Sequence, residues 1–128
     1  MDTKKIVITD EAPAAIGPYS VGVCVGNLVF TAGQLGIDPV SGEIVPGGVE
    51  AETRQALVNL GSVLKAAGTS LDHVVKTTVY LQNIEEFGKM NSVYNEFFSS
   101  EYPARSAVQV AALPKGGLVE IEAVALVN

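Results

Sequence analysis

The residues on which much enzyme chemistry rests are scarce in this chain. It holds one cysteine, Cys24, so neither an internal disulfide nor a cysteine-based metal cluster can form. Its one histidine, His73, excludes most histidine-dependent zinc sites and weighs against a Ser-His-Asp triad. No metal or cofactor is expected. Tryptophan is absent and charged residues make up only 17 %, against about 25 % in an ordinary soluble domain. Basic residues never run longer than the pair Lys4-Lys5, and the net charge is −6. Nucleic acid is therefore not an expected partner, because phosphate-backbone binding needs clustered cations. No apolar run reaches ~18 residues and the N-terminus lacks an apolar signal core, which points to a soluble, cytoplasmic protein with no membrane span.

Hydrophobic residues make up 48 % of the 128 residues, enough for one domain over 1–128 with a real core. The pattern predicts a short strand over 4–9, then a loop ending in Gly17-Pro18-Tyr19-Ser20, where Pro18 aims Tyr19 in one direction. A hairpin follows, its strands meeting at Gly26-Asn27, with Cys24 as a small buried hydrophobe. In Ala32-Gly33-Gln34-Leu35-Gly36 the glycines allow backbone to approach a ligand. A short strand is expected near 43–45. Apolar residues at helical spacing predict helices over 49–67 and 89–98. Arg54 belongs to the solvated side of the first helix. Asn91 lies near the start of the second, off its apolar face. Strands are expected over 73–81, 105–112 and 118–127, and a loop over 99–104. His73 reads as a surface or capping residue. The order is α+β, with two helices available to cover one face of a single sheet.

In the last strand Val119, Ile121, Ala123, Ala125 and Val127 share one face, which belongs under the helices. The opposite face carries Glu120, Glu122, Val124 and Leu126, half of it apolar, so it needs another cover. Self-assembly is the economical solution. Glu120 and Glu122 lie on one face about 6.6–6.8 Å apart. The chain has only two arginines. Arg105 follows Pro103 at a strand start, and its planar fork suits a carboxylate. If the two final strands pair antiparallel across the 113–117 turn, Arg105 and a glutamate share a face.

Ala14-Ala15-Ile16-Gly17-Pro18-Tyr19-Ser20, Thr31-Ala32-Gly33-Gln34, Val75-Lys76-Thr77-Thr78-Val79, Asn91, Pro103-Ala104-Arg105-Ser106, Leu113-Pro114-Lys115 and Glu120-Ile121-Glu122-Ala123 together resemble the RidA (YjgF-type) reactive-intermediate deaminase family. The resemblance runs from about Ala12 to the C-terminus. It implies a chorismate-mutase-like fold, a homotrimer with clefts between subunits, and hydrolysis of enamines and imines such as 2-aminoacrylate and 2-iminopropanoate to 2-oxo acids and ammonia. By the same resemblance Arg105 binds the substrate carboxylate, Tyr19, Gly33 and Asn91 line the cleft, and Glu120 holds or activates water. Ala107 stands where many members have cysteine and Ala32 where many have serine, so the pocket loses two polar groups.

That chemistry suits plain residues. A protonated imine already hydrolyses in water, so holding the carboxylate, presenting water and moving a proton can suffice. Backbone groups near Gly33 and Ala107 can orient the imine nitrogen. Two other readings remain: a ribonuclease or translation inhibitor, and a sensor that binds small carboxylates without turnover.

Overall fold

The computed structural model describes residues 3–98 and 100–127; Ser99, the first residue of the loop expected over 99–104, lies outside the described residues. Its elements are β1 (Lys5–Val7), β2 (Gly22–Val25), β3 (Leu28–Thr31), β4 (Gln34–Leu35), α1 (Gly48–Ala66), β5 (Val74–Leu81), α2 (Phe87–Phe97), β6 (Ala104–Gln109) and β7 (Val119–Leu126). The sheet runs β1-β2-β3-β7-β5-β6, and β4 also pairs with β7. Only β5 and β6 are parallel; the other pairs are antiparallel. The architecture is α+β, with one mixed sheet and two helices.

The apolar stripe of α1 explains its place. Ala56, Leu57, Leu60, Val63 and Leu64 are all fully buried, recurring at the three- and four-residue spacing of one helix face. Gly68 ends the helix as expected: its N–H donates to Lys65 O at 3.0 Å and the Thr69 N–H to Leu64 O at 2.9 Å, a Schellman closure. The second helix starts two residues before the expected 89, at Phe87. A 3₁₀ turn over Ile84–Glu86, with Asn83 Oδ1 accepting the Glu85 N–H, leads straight into it. Both helices pack with Val29, Val79, Val119, Ile121 and Ala123 in one core.

Three expectations are corrected. β6 and β7 are not neighbours, because β5 lies between them. Parallel strands need a long crossover, which α2 supplies for β5 and β6, while β7 returns antiparallel along the other edge of β5. β6 stops at Gln109 because its partner β5 ends opposite, at Leu81. The segment near 43–45 forms only an isolated bridge, Ile37 with Ile44.

Among the described residues the second face of the sheet is left open, as expected of a helix layer that covers one side only. Strand register lines up Ile6, Val23, Phe30 and Val124 across four strands. Ile6, Val25, Phe30, Val108 and Leu126 are all exposed. No described helix is long and apolar enough to cross a membrane.

Candidate functional site

Arg105 is seated on the helix side of the sheet. It pairs with Thr77 of β5, a residue fully buried beneath α2. The guanidinium lies 4.7 Å from the centre of the Tyr94 ring and 5.3 Å from that of Phe87. Such cation–π seating orients the group without neutralising it. Phe87 and Tyr94 are two helical turns apart, hence on one face of α2. Tyr94 is itself fixed, its hydroxyl 2.8 Å from Thr77 Oγ1, and burial raises its proton affinity, partly offset by that bond and by Arg105.

Among the described residues no carboxylate pairs with Arg105; the ion pairs are Arg54–Glu96 at 2.6 Å and Lys65–Glu11 at 3.7 Å. The two arginines have thus divided their roles. Arg54 is solvent-exposed and already holds Glu96 with both guanidinium nitrogens, whereas Arg105 faces a cavity of ≈ 610 Å³. Asn91, Asn95, Tyr102 and Pro103 line that cavity too. The Tyr102 hydroxyl donates to Asn95 Oδ1, closing one wall. Asn91 Oδ1 is buried with no hydrogen-bond partner among the described residues.

Tyr19, Gly33 and Glu120 line a different cavity, of ≈ 380 Å³. The remaining walls are mostly apolar: Pro13, Ile16, Val21, Leu35, Ile37 and Pro114. Tyr19 is half-exposed, and its phenolic oxygen accepts the Ile16 N–H at 3.3 Å, so the loop that carries the ring also braces it. Glu120 projects from β7 beside Gly33. A Cβ on Gly33 would lie 2.7 Å from Glu120 Cδ and 2.9 Å from Oε2. The space expected for a ligand is thus occupied by the protein's own carboxyl group, which a side chain at 33 would push aside. Gly36 is the stricter case, since a Cβ there would lie 2.6 Å from the backbone Cα of Glu52 in α1, which cannot swing aside.

Burial, and after it the charge of Glu122, pushes the Glu120 carboxyl above the ordinary carboxylate range. Tyr80, which pairs with Glu120 across the β5–β7 ladder, has its phenol raised by burial and by the two glutamates.

The sheet brings these residues into two groups and keeps the groups apart. Arg105 aligns with Thr77 and Glu120 with Tyr80, three positions apart on a strand whose side chains alternate. Arg105 and Glu120 therefore point to opposite faces, contrary to the shared face expected from antiparallel pairing of the final strands. Ala107 points to the helix side like Arg105, packs against the core and lines neither cavity. His73 is exposed, with Nδ1 3.2 Å from Ser70 Oγ. Among the described residues no three His, Cys, Asp or Glu side chains are grouped to hold a metal ion. Sequence reasoning missed the Phe87–Tyr94 seat; the seven-residue spacing of the two aromatics was the available signal.

Comparison with known proteins covers nearly the whole chain. The family model described as Endoribonuclease L-PSP matches residues 9–127. A bovine protein named 2-iminobutanoate/2-iminopropanoate deaminase is 57 % identical over 123 residues, covering 96 % of this chain and 90 % of that protein. The crystal structure of RidA from an Antarctic Psychrobacter superposes with a TM-score of 0.93 at 47 % identity, covering 96 % of this chain and 99 % of that one. The structure of Escherichia coli TdcF with bound serine gives 0.92 at 43 % identity, covering 97 % and 98 %. The chain belongs to the Endoribonuclease L-PSP family, the YjgF/RidA family that its motifs resemble.

Proposed function

We propose that this protein hydrolyses 2-imino acids and their enamine tautomers, such as 2-iminopropanoate and 2-aminoacrylate, to 2-oxo acids and ammonia. The observation that carries this reading is the state of Arg105: held by two aromatic rings, facing a cavity and lacking a carboxylate among the described residues. Such a group is prepared for a substrate carboxylate. The names of the curated relatives supply the reaction class, and the serine bound to TdcF is an amino acid of the right kind.

In this reading Arg105 holds the carboxylate with both guanidinium nitrogens, and Asn91 borders it. Water attacks C2 of the protonated imine as the Glu120 carboxylate takes a proton from it. The resulting carbinolamine carries hydroxyl and amino groups on C2. Glu120 returns the proton to nitrogen. Its carboxylate then takes the hydroxyl proton as the C–N bond breaks, the C=O of the 2-oxo acid forms and ammonia leaves. Glu120 passes that last proton to solvent. A carboxyl whose proton affinity is raised by burial both takes and returns a proton more readily than an ordinary glutamate can. Tyr19 and the Gly33 backbone wall this half of the site.

The two half-sites meet in a homotrimer, the Arg105 cavity of one copy closing on the Glu120 cavity of the next. Three features support this: the residues point to opposite faces of the sheet, the open face is apolar, and cyclic assembly covers such a face. Generating 2-iminopropanoate in solution and following pyruvate and ammonia tests the activity. Wild type accelerates release and Arg105→Ala does not. Acceleration undiminished in Arg105→Ala removes the assigned role. The family model's name also raises ribonuclease activity, but the net charge of −6 disfavours RNA binding. RNA cleavage that survives purification and disappears in Arg105→Ala would favour that second reading.

A further inference from the structure

The wall beside Glu120 is built from a segment too short to hold itself. β4 has only two residues, and the ladder on that edge of β7 is interrupted between Phe30↔Val124 and Gln34↔Ile121. The gap is partly closed by Thr31 Oγ1, which accepts the Ala123 N–H at 3.0 Å. The stronger restraint comes from the helix layer. Asn59, fully buried in the middle of α1, donates through Nδ2 to Leu35 O at 3.1 Å and to Ile37 O at 2.9 Å. Its Oδ1 accepts from Gln55 Nε2 at 2.8 Å, which fixes the direction in which the amide faces.

The gripped residues are the ones that define the Glu120 environment. Leu35 is the direct partner of Glu120 across the β4–β7 pair. Gly33, two residues earlier, is the backbone on which the Glu120 carboxyl lies. An apolar residue at 59 would fill the space but leave two buried carbonyls without a donor from α1.

We propose that Asn59 is a positioning residue for Glu120, setting how closely the Gly33 backbone covers that carboxyl by holding the Leu35 and Ile37 carbonyls. Its catalytic consequence rests on the reading of Glu120 given above. The charged and titratable groups around Glu120 are Glu122 on the same strand, Tyr80 on β5 and Tyr19 on the loop wall. None of them touches Asn59 through a hydrogen bond among the described contacts, so a change at 59 reaches Glu120 through β4.

The test is carboxyl-carbon NMR of glutamate-labelled protein, with Glu120→Gln to assign the Glu120 resonance, beside the pH profile of turnover. Wild-type Glu120 titrates above an ordinary glutamate. In Asn59→Ala its midpoint falls back toward the ordinary value, the acidic limb of kcat moves the same way, and kcat drops about tenfold while KM stays within about twofold. Gln55→Ala, which only frees the amide to rotate, shifts Glu120 in the same direction by less, and stands in if Asn59→Ala does not fold. A folded Asn59→Ala, or failing it Gln55→Ala, with Glu120 titrating as in wild type overturns the proposal. Full turnover in Glu120→Gln removes instead the reading of Glu120 as the proton-transfer group, and the titration still decides what Asn59 positions.

Discussion

At the scale of single residues, the contrast between the two arginines is the most informative feature. Arg54 pairs with Glu96 in solvent, an arrangement that contributes little to stability. Arg105 stacks on Tyr94 and Phe87, and among the described residues no carboxylate takes its fork. Replacing it with alanine should reduce imine hydrolysis at least about 100-fold, and lysine should not restore it, because a point charge cannot make two parallel bonds. Steady-state assay of both variants checks this. Glu120 carries a second prediction, in stability. Its folded-state proton affinity is raised, mainly by burial. The linked stability is therefore fully present below the unfolded pKa and is lost as pH rises through the folded one. Glu120→Gln should lower activity yet raise the melting temperature near pH 7, with the gain shrinking toward about pH 4. A melting series across pH reads both ends. Gly33→Ala should fail differently, since its Cβ would meet Glu120 Cδ at 2.7 Å: the flexible side chain swings aside, so the melting temperature should stay near that of wild type while turnover falls because the carboxyl is out of place.

At the scale of elements, the sequence made some things plain and hid others for physical reasons. Helix α1 and the strand β7 carry full periodic patterns, so their residues declare their faces without reference to the rest of the chain, while β5 was legible as a strand through its β-branched and aromatic content. β4 could not be seen, because two residues hold no period and the strand it pairs with, β7, lies far along the chain. The neighbours of β7 were misjudged because adjacency along the chain suggested a hairpin, whereas the parallel β5–β6 pair sends the chain across the sheet. The positions of Arg105, Tyr19, Gly33 and Asn91 were legible through motif resemblance; the aromatic seat of Arg105 was not, because it needs α2 laid across β6. That tie between strand and helix is testable. Thr77→Val removes the hydroxyl that meets Tyr94 Oη at 2.8 Å and leaves a buried phenol without its partner, at a cost of about 1–3 kcal/mol. Because Tyr94 supports the guanidinium, KM for the imino acid should rise more than kcat falls.

At the scale of the whole molecule, the division of the candidate residues between opposite faces of one sheet makes a strong demand. If Arg105 and Glu120 serve one substrate, they must come from different copies, and the open face of Ile6, Phe30, Val108 and Leu126 gives those copies a reason to associate. Light scattering should therefore find an assembly larger than the 13.3 kDa chain, and a monomer at micromolar concentration would end the proposal. A mixing experiment asks more. On the proposed homotrimer, Arg105→Ala and Glu120→Gln subunits should each be inactive alone, because every site in either assembly would lack one group. Unfolded together and refolded at equal amounts, they form mixed trimers in which some sites take Arg105 from one variant and Glu120 from the other. If subunits combine at random in a ring, each site has one chance in two of receiving either intact group, so about a quarter of wild-type activity should return. A site built within one chain would recover nothing, since no chain in the mixture carries both residues.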